Sequence, residues 1–160
     1  MNLWYRELMG EKLICSNKKA YHDYFIEEKL EAGLVLQGTE VKSLRAGKAN
    51  LSDSFMLVRE GEAYLHNLNI SHYEFGNRQN HTPDRNRKLL LHRREIDRLY
   101  GRIREKGLSV IPLRLYFKDG LVKVEIGLAK GKKLYDKRED MKAKDSQREM
   151  SQALKARNRE

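Results

Sequence analysis

The chain has 160 residues, 39% of them hydrophobic and 35% charged, with 33 Lys or Arg against 23 Asp or Glu and a net charge of +10. One modest core fits such a chain if a stretch is left out of it, two full domains do not, and the basic excess points to a polyanion, nucleic acid first, although an anionic membrane surface or simple solubility would give the same charge. The single Cys15 allows neither an intrachain disulfide nor a thiolate metal cluster, which fits a reducing cytoplasm, and no segment approaches the ~20 apolar residues of a membrane span.

In chain order, residues 1–12 read as an N-terminal extension without an assigned function, and Met9 offers an alternative start. Tyr24 to Leu30 reads as a strand, and a second strand follows Gly33 through Leu34 to Leu36. Gly38 to Ala46 reads as a short helix with Thr39 as N-cap, Val41 and Leu44 three apart on one face, and Gly47 as its stop. Phe55 to Val58 and Ala63 to His66 flank a Gly-containing connection of hairpin length. Ile96, Leu99, Tyr100 and Ile103 fall at i, i+3, i+4 and i+7, the spacing of an amphipathic helix that ends near Gly107.

The strongest hairpin signal comes next. Leu113, Leu115 and Phe117 alternate with Arg114, Tyr116 and Lys118; Asp119-Gly120 then supplies the positive φ angles of a type I′ turn into Val122, Val124 and Ile126. Short strands with turns and too few residues for a sandwich predict a mainly β fold, a small closed β-barrel over residues 13–129 with about three short peripheral helices. From residue 130 the composition changes: eleven Lys or Arg stand against six Asp or Glu in the last thirty-one residues. Apolar residues there are too sparse to anchor a core, so 130–160 reads as a tail disordered in isolation. Met150, Ala153 and Leu154 lie on one helical stripe, so the tail is expected to become helical against a surface.

Five histidines show no zinc spacing with Cys15 or the carboxylates. Adjacent His22 and Asp23 would point to opposite faces of a strand, a poor acid/base pair. Gly127 to Lys133 has the wrong spacing for a phosphate loop and lacks its Ser or Thr. No cofactor and no catalysis are expected. Arg78, Arg85, Arg87, Lys88, Arg93 and Arg94, opposed only by Asp84, form a basic stretch suited to phosphates, with a solvated loop as the lesser alternative. Lys42, Arg45 and Lys48 form a second cationic group. Tyr21, Tyr24, Phe25, Tyr64, Tyr73 and Tyr116 could stack on bases, although most aromatics of a small barrel belong to its core. A general single-strand RNA binder of cold-shock type and a nuclease stay open as rival readings at this point.

Five ungapped blocks carry a more specific signal: Asn17 to Glu28 (NKKAYHDYFIEE), Glu31 to Gly38 (EAGLVLQG), Glu40 to Asn50 (EVKSLRAGKAN), Arg87 to His92 (RKLLLH) and Gly131 to Arg138 (GKKLYDKR). Together they closely resemble SmpB, the family of small proteins that bind transfer-messenger RNA. The resemblance runs from about Leu13 to the C-terminus. It implies an oligonucleotide-binding-type (OB-type) barrel that holds the tRNA-like domain of that RNA and escorts it to stalled bacterial ribosomes, with no membrane partner and as a monomer in the RNA complex.

The RNA-binding positions it implies are Asn17, Lys18, Tyr24, the Glu31 turn, and Leu90 to His92, with Lys42, Arg45 and Lys123 around them. Glu31 accepts hydrogen bonds only, so it suits base amino or ribose hydroxyl groups and not phosphate. The implied ribosome-binding tail contains Gly131, Lys132, Lys133, Tyr135, Asp136, Lys137 and Arg138, and enters the vacant mRNA channel near the decoding region of the small subunit. Two departures stand out. Tyr135 replaces a His common there and cannot gain a proton near neutral pH, and Ala153-Leu154 is smaller than the bulky apolar pair often found.

Overall fold

The computed structural model describes residues 10–76, 79–132 and 134–157, with residues 106, 134–143 and 157 as backbone only. Residues 1–9 of the N-terminal extension (Met9 among them), Arg78 of the basic stretch and Lys133 of the tail lie outside the described residues. The chain divides into two compact units, Met1–Lys130 and Gly131–Glu160.

The first unit is mainly β. Its elements are β1 (Glu11–Ser16), α1 (Lys18–Asp23), β2 (Tyr24–Leu34), α2 (Gly38–Arg45), β3 (Ala49–Asn50), β4 (Phe55–Arg59), β5 (Glu62–His66), β6 (Asn69–Ile70), β7 (Arg87–Leu90), α3 (Arg93–Lys106), β8 (Ser109–Lys118) and β9 (Leu121–Gly131, its last residue falling in the second unit). Seven strands pair in the order β1-β8-β9-β2-β7-β5-β4, and β3 pairs with β6 separately. Leu51, Leu65, Leu68, Ile70, Leu89, Leu115, Val124 and Ile126 are buried in one cluster, the core.

Both expected hairpins form. Glu60 and Gly61 turn β4 into β5 with φ of 52° and 77°, and Asp119 and Gly120 turn β8 into β9 with 52° and 78°. Those positive pairs match the twist of the flanking strands. The amphipathic helix also forms as α3, capped by left-handed Gly107. Ile96 and Leu99 enter the core while Tyr100, expected on the same face, is exposed beneath the Arg104 guanidinium. Arg98 and Arg102 bond Glu28 (2.6 Å) and Glu27 (3.0 Å), tying α3 to β2.

Several expectations are corrected. The two strands expected around Gly33 are one eleven-residue strand, β2, so Glu31 sits in a ladder and not in a turn. The N-cap of α2 is Gln37 and not Thr39, because Glu40 at the third helical position reaches back to accept from the Gln37 N–H at 2.8 Å. Glu11 and Lys12 begin β1 instead of preceding the fold.

The seven-strand ladder is not closed into a barrel. Its end strand β4 packs against β8 without pairing to it. The local chemistry explains the gap. Register shifts between Pro112 and Arg114, and Pro112 has no N–H to offer a further strand. Asn17 fills the place instead: its N–H donates to Leu113 O at 2.7 Å and its Nδ2 to Pro112 O at 2.9 Å, while its Oδ1 caps α1 at Ala20 N.

In the second unit the chain runs as one helix, α4 (Leu134–Arg157). The tail, expected to be disordered in isolation and helical against a surface, is thus helical here, and with the three helices of the first unit, the number expected beside the sheet, the described residues hold four. Met150 and Leu154 on it are exposed. None of the helices among the described residues is long and apolar enough to cross a membrane.

Candidate RNA interface

The outward face of β8, β9 and β2 is built by strict alternation. Arg114, Tyr116 and Lys118 on β8 lie opposite Glu125, Lys123 and Leu121 on β9. Leu121, Lys123 and Glu125 point away from the core because Val122, Val124 and Ile126 point into it. Tyr116 is nevertheless only 1% exposed. Arg114 covers its ring at 4.4 Å, and its hydroxyl donates to Glu31 Oε2 across β9. The sequence offered Tyr116 as a stacking surface; here its ring is spent under Arg114.

Glu31 is the electrostatic centre of this face. Tyr116 donates to it, Lys118 Nζ lies 3.3 Å from Oε2 and 3.5 Å from Oε1, and Lys123 adds positive charge nearby. The Tyr116 hydrogen bond, with help from the two lysines and against partial burial, holds the carboxyl below the usual range. In return, burial and the Glu31 carboxylate push the Tyr116 phenol well above its ordinary value. A neutralised carboxylate retains acceptor capacity on Oε1, so it can receive an amino or hydroxyl group without presenting a bare negative charge to phosphate.

Beside Glu31 lies a shallow cleft lined by Gly33, Val41, Leu90, Leu121 and Lys123. Gly33 and Leu90 are register partners between β2 and β7. A Cβ on Gly33 would stand 3.2 Å from Leu90 Cδ1, so the glycine lets Leu90 lie flat over the strand. Leu90 remains 54% and Leu121 61% exposed, an apolar floor beside the Lys123 ammonium. Val41 belongs to α2, whose next turn carries the exposed Lys42 and Arg45.

The structure therefore brings Glu31, Leu90 and Lys123 together with α2 and its Lys42 and Arg45 alongside. The other positions lie elsewhere. Asn17 is buried, its amide taken up by Pro112, Leu51 and Ala20, so it holds α1 in place. Lys18 is exposed on that helix. Tyr24 packs on Ala20, Ile111 and Leu113 beside a second cleft of about 360 Å³ at the unpaired β4/β8 seam. His92 precedes α3, its N–H donating to Glu95 at 3.0 Å, and lines a third cleft with Arg94 and Arg98.

The basic stretch is also redistributed. Arg87 is fully buried: its Nε donates to Glu40, and its other nitrogens reach Leu68 O, Arg85 O and Pro83 O. Arg85 donates to the other Glu40 oxygen. Burial drives the Glu40 carboxyl up, but the hydrogen bonds from Arg85, the Gln37 N–H and Arg87 outweigh it and hold the group below its ordinary value. Lys88 pairs with Glu62 at 2.9 Å and Arg93 with Asp97 at 3.6 Å. Arg85 and Arg87 thus build the fold, while Lys88 and Arg93 sit in exposed ion pairs and Arg94 stays exposed, so the stretch is not one continuous cationic patch. His81, from the same loop, is buried between Thr39 and the Ile70 carbonyl.

Of the tail positions, Gly131 ends β9 and Lys132 follows it, while Tyr135, Asp136, Lys137 and Arg138 lie on the backbone of α4, as do the exposed Ala153 and Leu154. Gly33, Val41, Leu121 and Lys118 were not picked out as site residues from the sequence. The register of β2 against β7, and of β8 against β9, reveals Gly33, Leu121 and Lys118, and the placement of α2 beside the cleft reveals Val41.

The family model described as SmpB protein matches residues 14–156. The chain belongs to the SmpB family. The SsrA-binding protein of Pelobacter propionicus is 86% identical over 95% of this chain and 100% of its own length. That of Geobacter metallireducens is 75% identical over 94% and 99%, and that of Geobacillus kaustophilus 62% identical over 91% and 94%. Among solved structures, a chain from one described as "tmRNA-SmpB: a journey to the center of the bacterial ribosome" shares 50% identity and a TM-score of 0.65, covering 78% of this chain and 92% of that one.

Proposed function

We propose that this SmpB-family chain binds transfer-messenger RNA through its tRNA-like domain, carries it to stalled bacterial ribosomes in the cytoplasm, and assists rescue and tagging of the nascent peptide without catalysing a reaction. The geometric observation that carries the reading is the cleft in which Leu90 lies over Gly33 beside Lys123 and the neutralised Glu31. It offers apolar contact, a cation and a hydrogen-bond acceptor within one face, the combination that suits unstacked bases of a folded RNA. The names borne by the relatives and the subject of the solved structure agree with it.

In this reading the first unit works as an OB-type RNA-binding module, although its pairing is open at β4 and β8. Lys42 and Arg45 supply phosphate contacts, Lys18 and His92 mark its margins, and Asn17 and Tyr24 position α1. The segment after Lys130 acts on the ribosome, entering the vacant mRNA channel near the decoding region, and is disordered until that surface makes it helical. There Tyr135 stacks where an imidazole is common, and Lys132, Lys133, Lys137 and Arg138 meet phosphates. Ala153 and Leu154 dock the far end of the helix.

Truncation after Lys130 tests the division. Gel-shift affinity for a transcript of the tRNA-like domain is expected to survive, while tagging of peptides on stalled ribosomes disappears. Loss of RNA affinity in step with tagging would refute two separable parts.

A further inference from the structure

Phe75 is 75% exposed, the most exposed large hydrophobic side chain among the described residues, yet its loop is built to hold it. Asn80 clasps the turn from both sides, accepting from the Tyr73 N–H at 3.1 Å and donating to the Tyr73 carbonyl at 2.6 Å. The Gly76 N–H returns to that carbonyl at 3.0 Å. A Cβ on Gly76 would stand 2.7 Å from the Asn80 amide nitrogen, so the clasp requires glycine there. Tyr73 meets Phe75 edge to face, with centroids 5.6 Å apart. A solvent-facing phenylalanine on a turn anchored by these bonds has no part in the core and needs another account.

The surroundings indicate the partner. Lys42 Nζ lies 5.3 Å from the centroid of the Tyr73 ring. Arg45 is exposed one turn along α2 and makes no ion pair among the described residues, and the nearby Glu74 carboxylate is balanced by Lys48 at 3.2 Å. The aromatic pair therefore sits on the cationic edge of α2. Because Val41 lines the cleft with Leu90 and Lys123, this edge continues the proposed RNA face instead of opening an unrelated one. An aromatic face next to cations is the arrangement that binds unpaired nucleobases, stacking the base while the cations take phosphates.

We propose that Phe75, supported by Tyr73 and Lys42, is a stacking platform for an unpaired base of the RNA held in the Leu90 cleft. The proposal rests on the RNA-binding reading above and extends it to the loop that carries Tyr73 and Phe75. A protein partner on the same patch would need an apolar surface broader than one ring bordered by charge.

Phe75→Ala tests it in the full-length protein, titrated with a transcript of the tRNA-like domain and, separately, with a fully paired RNA duplex. The expected loss on the transcript is roughly five- to a hundred-fold, the equivalent of ~1–3 kcal/mol per stacked base at ~1.4 kcal/mol per tenfold, with little change on the duplex. Stacking releases no counterions, so the same loss is expected at low and high salt. Phe75→Trp in a Trp4→Phe background is expected to retain affinity and to be quenched by the transcript.

An unchanged urea midpoint for Phe75→Ala verifies that the fold is intact. Unchanged transcript affinity alongside a loss for Leu90→Asp would overturn the platform and leave the RNA reading standing. Unchanged affinity for both variants would overturn both. An equal loss on the duplex, or loss of ribosome retention alone, would assign Phe75 to backbone or protein contact and also overturn the platform.

Discussion

Glu40→Gln should damage this protein more than its position on a short surface helix suggests. The carboxylate is buried and accepts from Arg87, itself fully buried, from Arg85 and from the Gln37 N–H. Glutamine has nearly the same shape but no charge, so two guanidinium groups lose their counter-ion, one of them with no route to water. Breaking a buried ion pair by removing one partner costs about 3–5 kcal/mol. At an m-value of about 1.5 kcal/mol per M urea, the unfolding midpoint should fall by about 2–3 M.

The pH dependence supplies an internal check. The folded-state pKa of Glu40 lies below its unfolded value, so its stabilisation is complete above the unfolded pKa of about 4.3 and is lost as pH falls through the folded value. The wild type should therefore exceed Glu40→Gln by the full margin at pH 7 and lose that lead progressively in acid. Adding Arg87→Met should restore part of the loss, because an apolar pair can replace a buried ionic one. Urea titrations at pH 7 and in acid measure both effects. A loss below about 1 kcal/mol at pH 7, or a margin that widens in acid, would refute the view that this ion triad holds α2 against the start of β7.

Four further outcomes follow from the face of β2, β8 and β9 and from the seam beside it. Leu90→Asp puts a negative charge on a half-exposed position and should weaken RNA binding at least roughly tenfold while leaving the urea midpoint nearly unmoved. Gly33→Val should do the same less severely, by displacing Leu90; equal affinity in a gel shift would remove the Leu90 floor from the site. Tyr116→Phe removes the hydroxyl that Glu31 accepts, so the Glu31 carboxyl should titrate closer to its ordinary value by NMR, with a stability cost of about 1 kcal/mol after solvent screening. Asn17→Ala deletes an α1 cap and the donor to Pro112; it should cost about 1–2 kcal/mol, and a large loss of RNA affinity with stability unchanged would mean that Asn17 touches the ligand after all.

What could be read from the sequence followed the length scale of the signal. Asp119-Gly120 and the Ile96, Leu99, Ile103 spacing are local devices, and both elements formed as expected. The strand β7 was hidden inside a basic stretch because Arg87 and Lys88 look like loop chemistry until their partners Glu40 and Glu62 arrive from elsewhere in the chain. Closure of the sheet was misjudged for a similar reason. Nothing local to Pro112 announces that Asn17 will occupy the β8 edge, 95 residues away in sequence. The resemblance groups Asn17 and Leu90 without separating their surroundings: one is consumed by the fold and the other is offered to solvent.

That sorting bears on how the charge of +10 should be interpreted. Net charge counts every cation equally, but Arg85, Arg87, Lys88, Arg98, Arg102, Arg114 and Lys118 are each matched to a carboxylate within this unit. Lys42, Arg45 and Lys123 are among the described cations with no such match, and they gather at one place: the first two lie on α2, whose Val41 lines the same cleft as the third. A charge already paired releases few counterions when RNA arrives, so the salt dependence of binding by the first unit should track these unpaired residues and not the total. Charge-neutralising substitutions at Lys42, Arg45 and Lys123 should each lower the slope of log K against log salt by up to about one, whereas Lys88→Met should leave it unchanged. A slope that fell equally for all four would mean that the ion pairs dissolve on binding, and that the face is recognised by its total charge instead of its geometry.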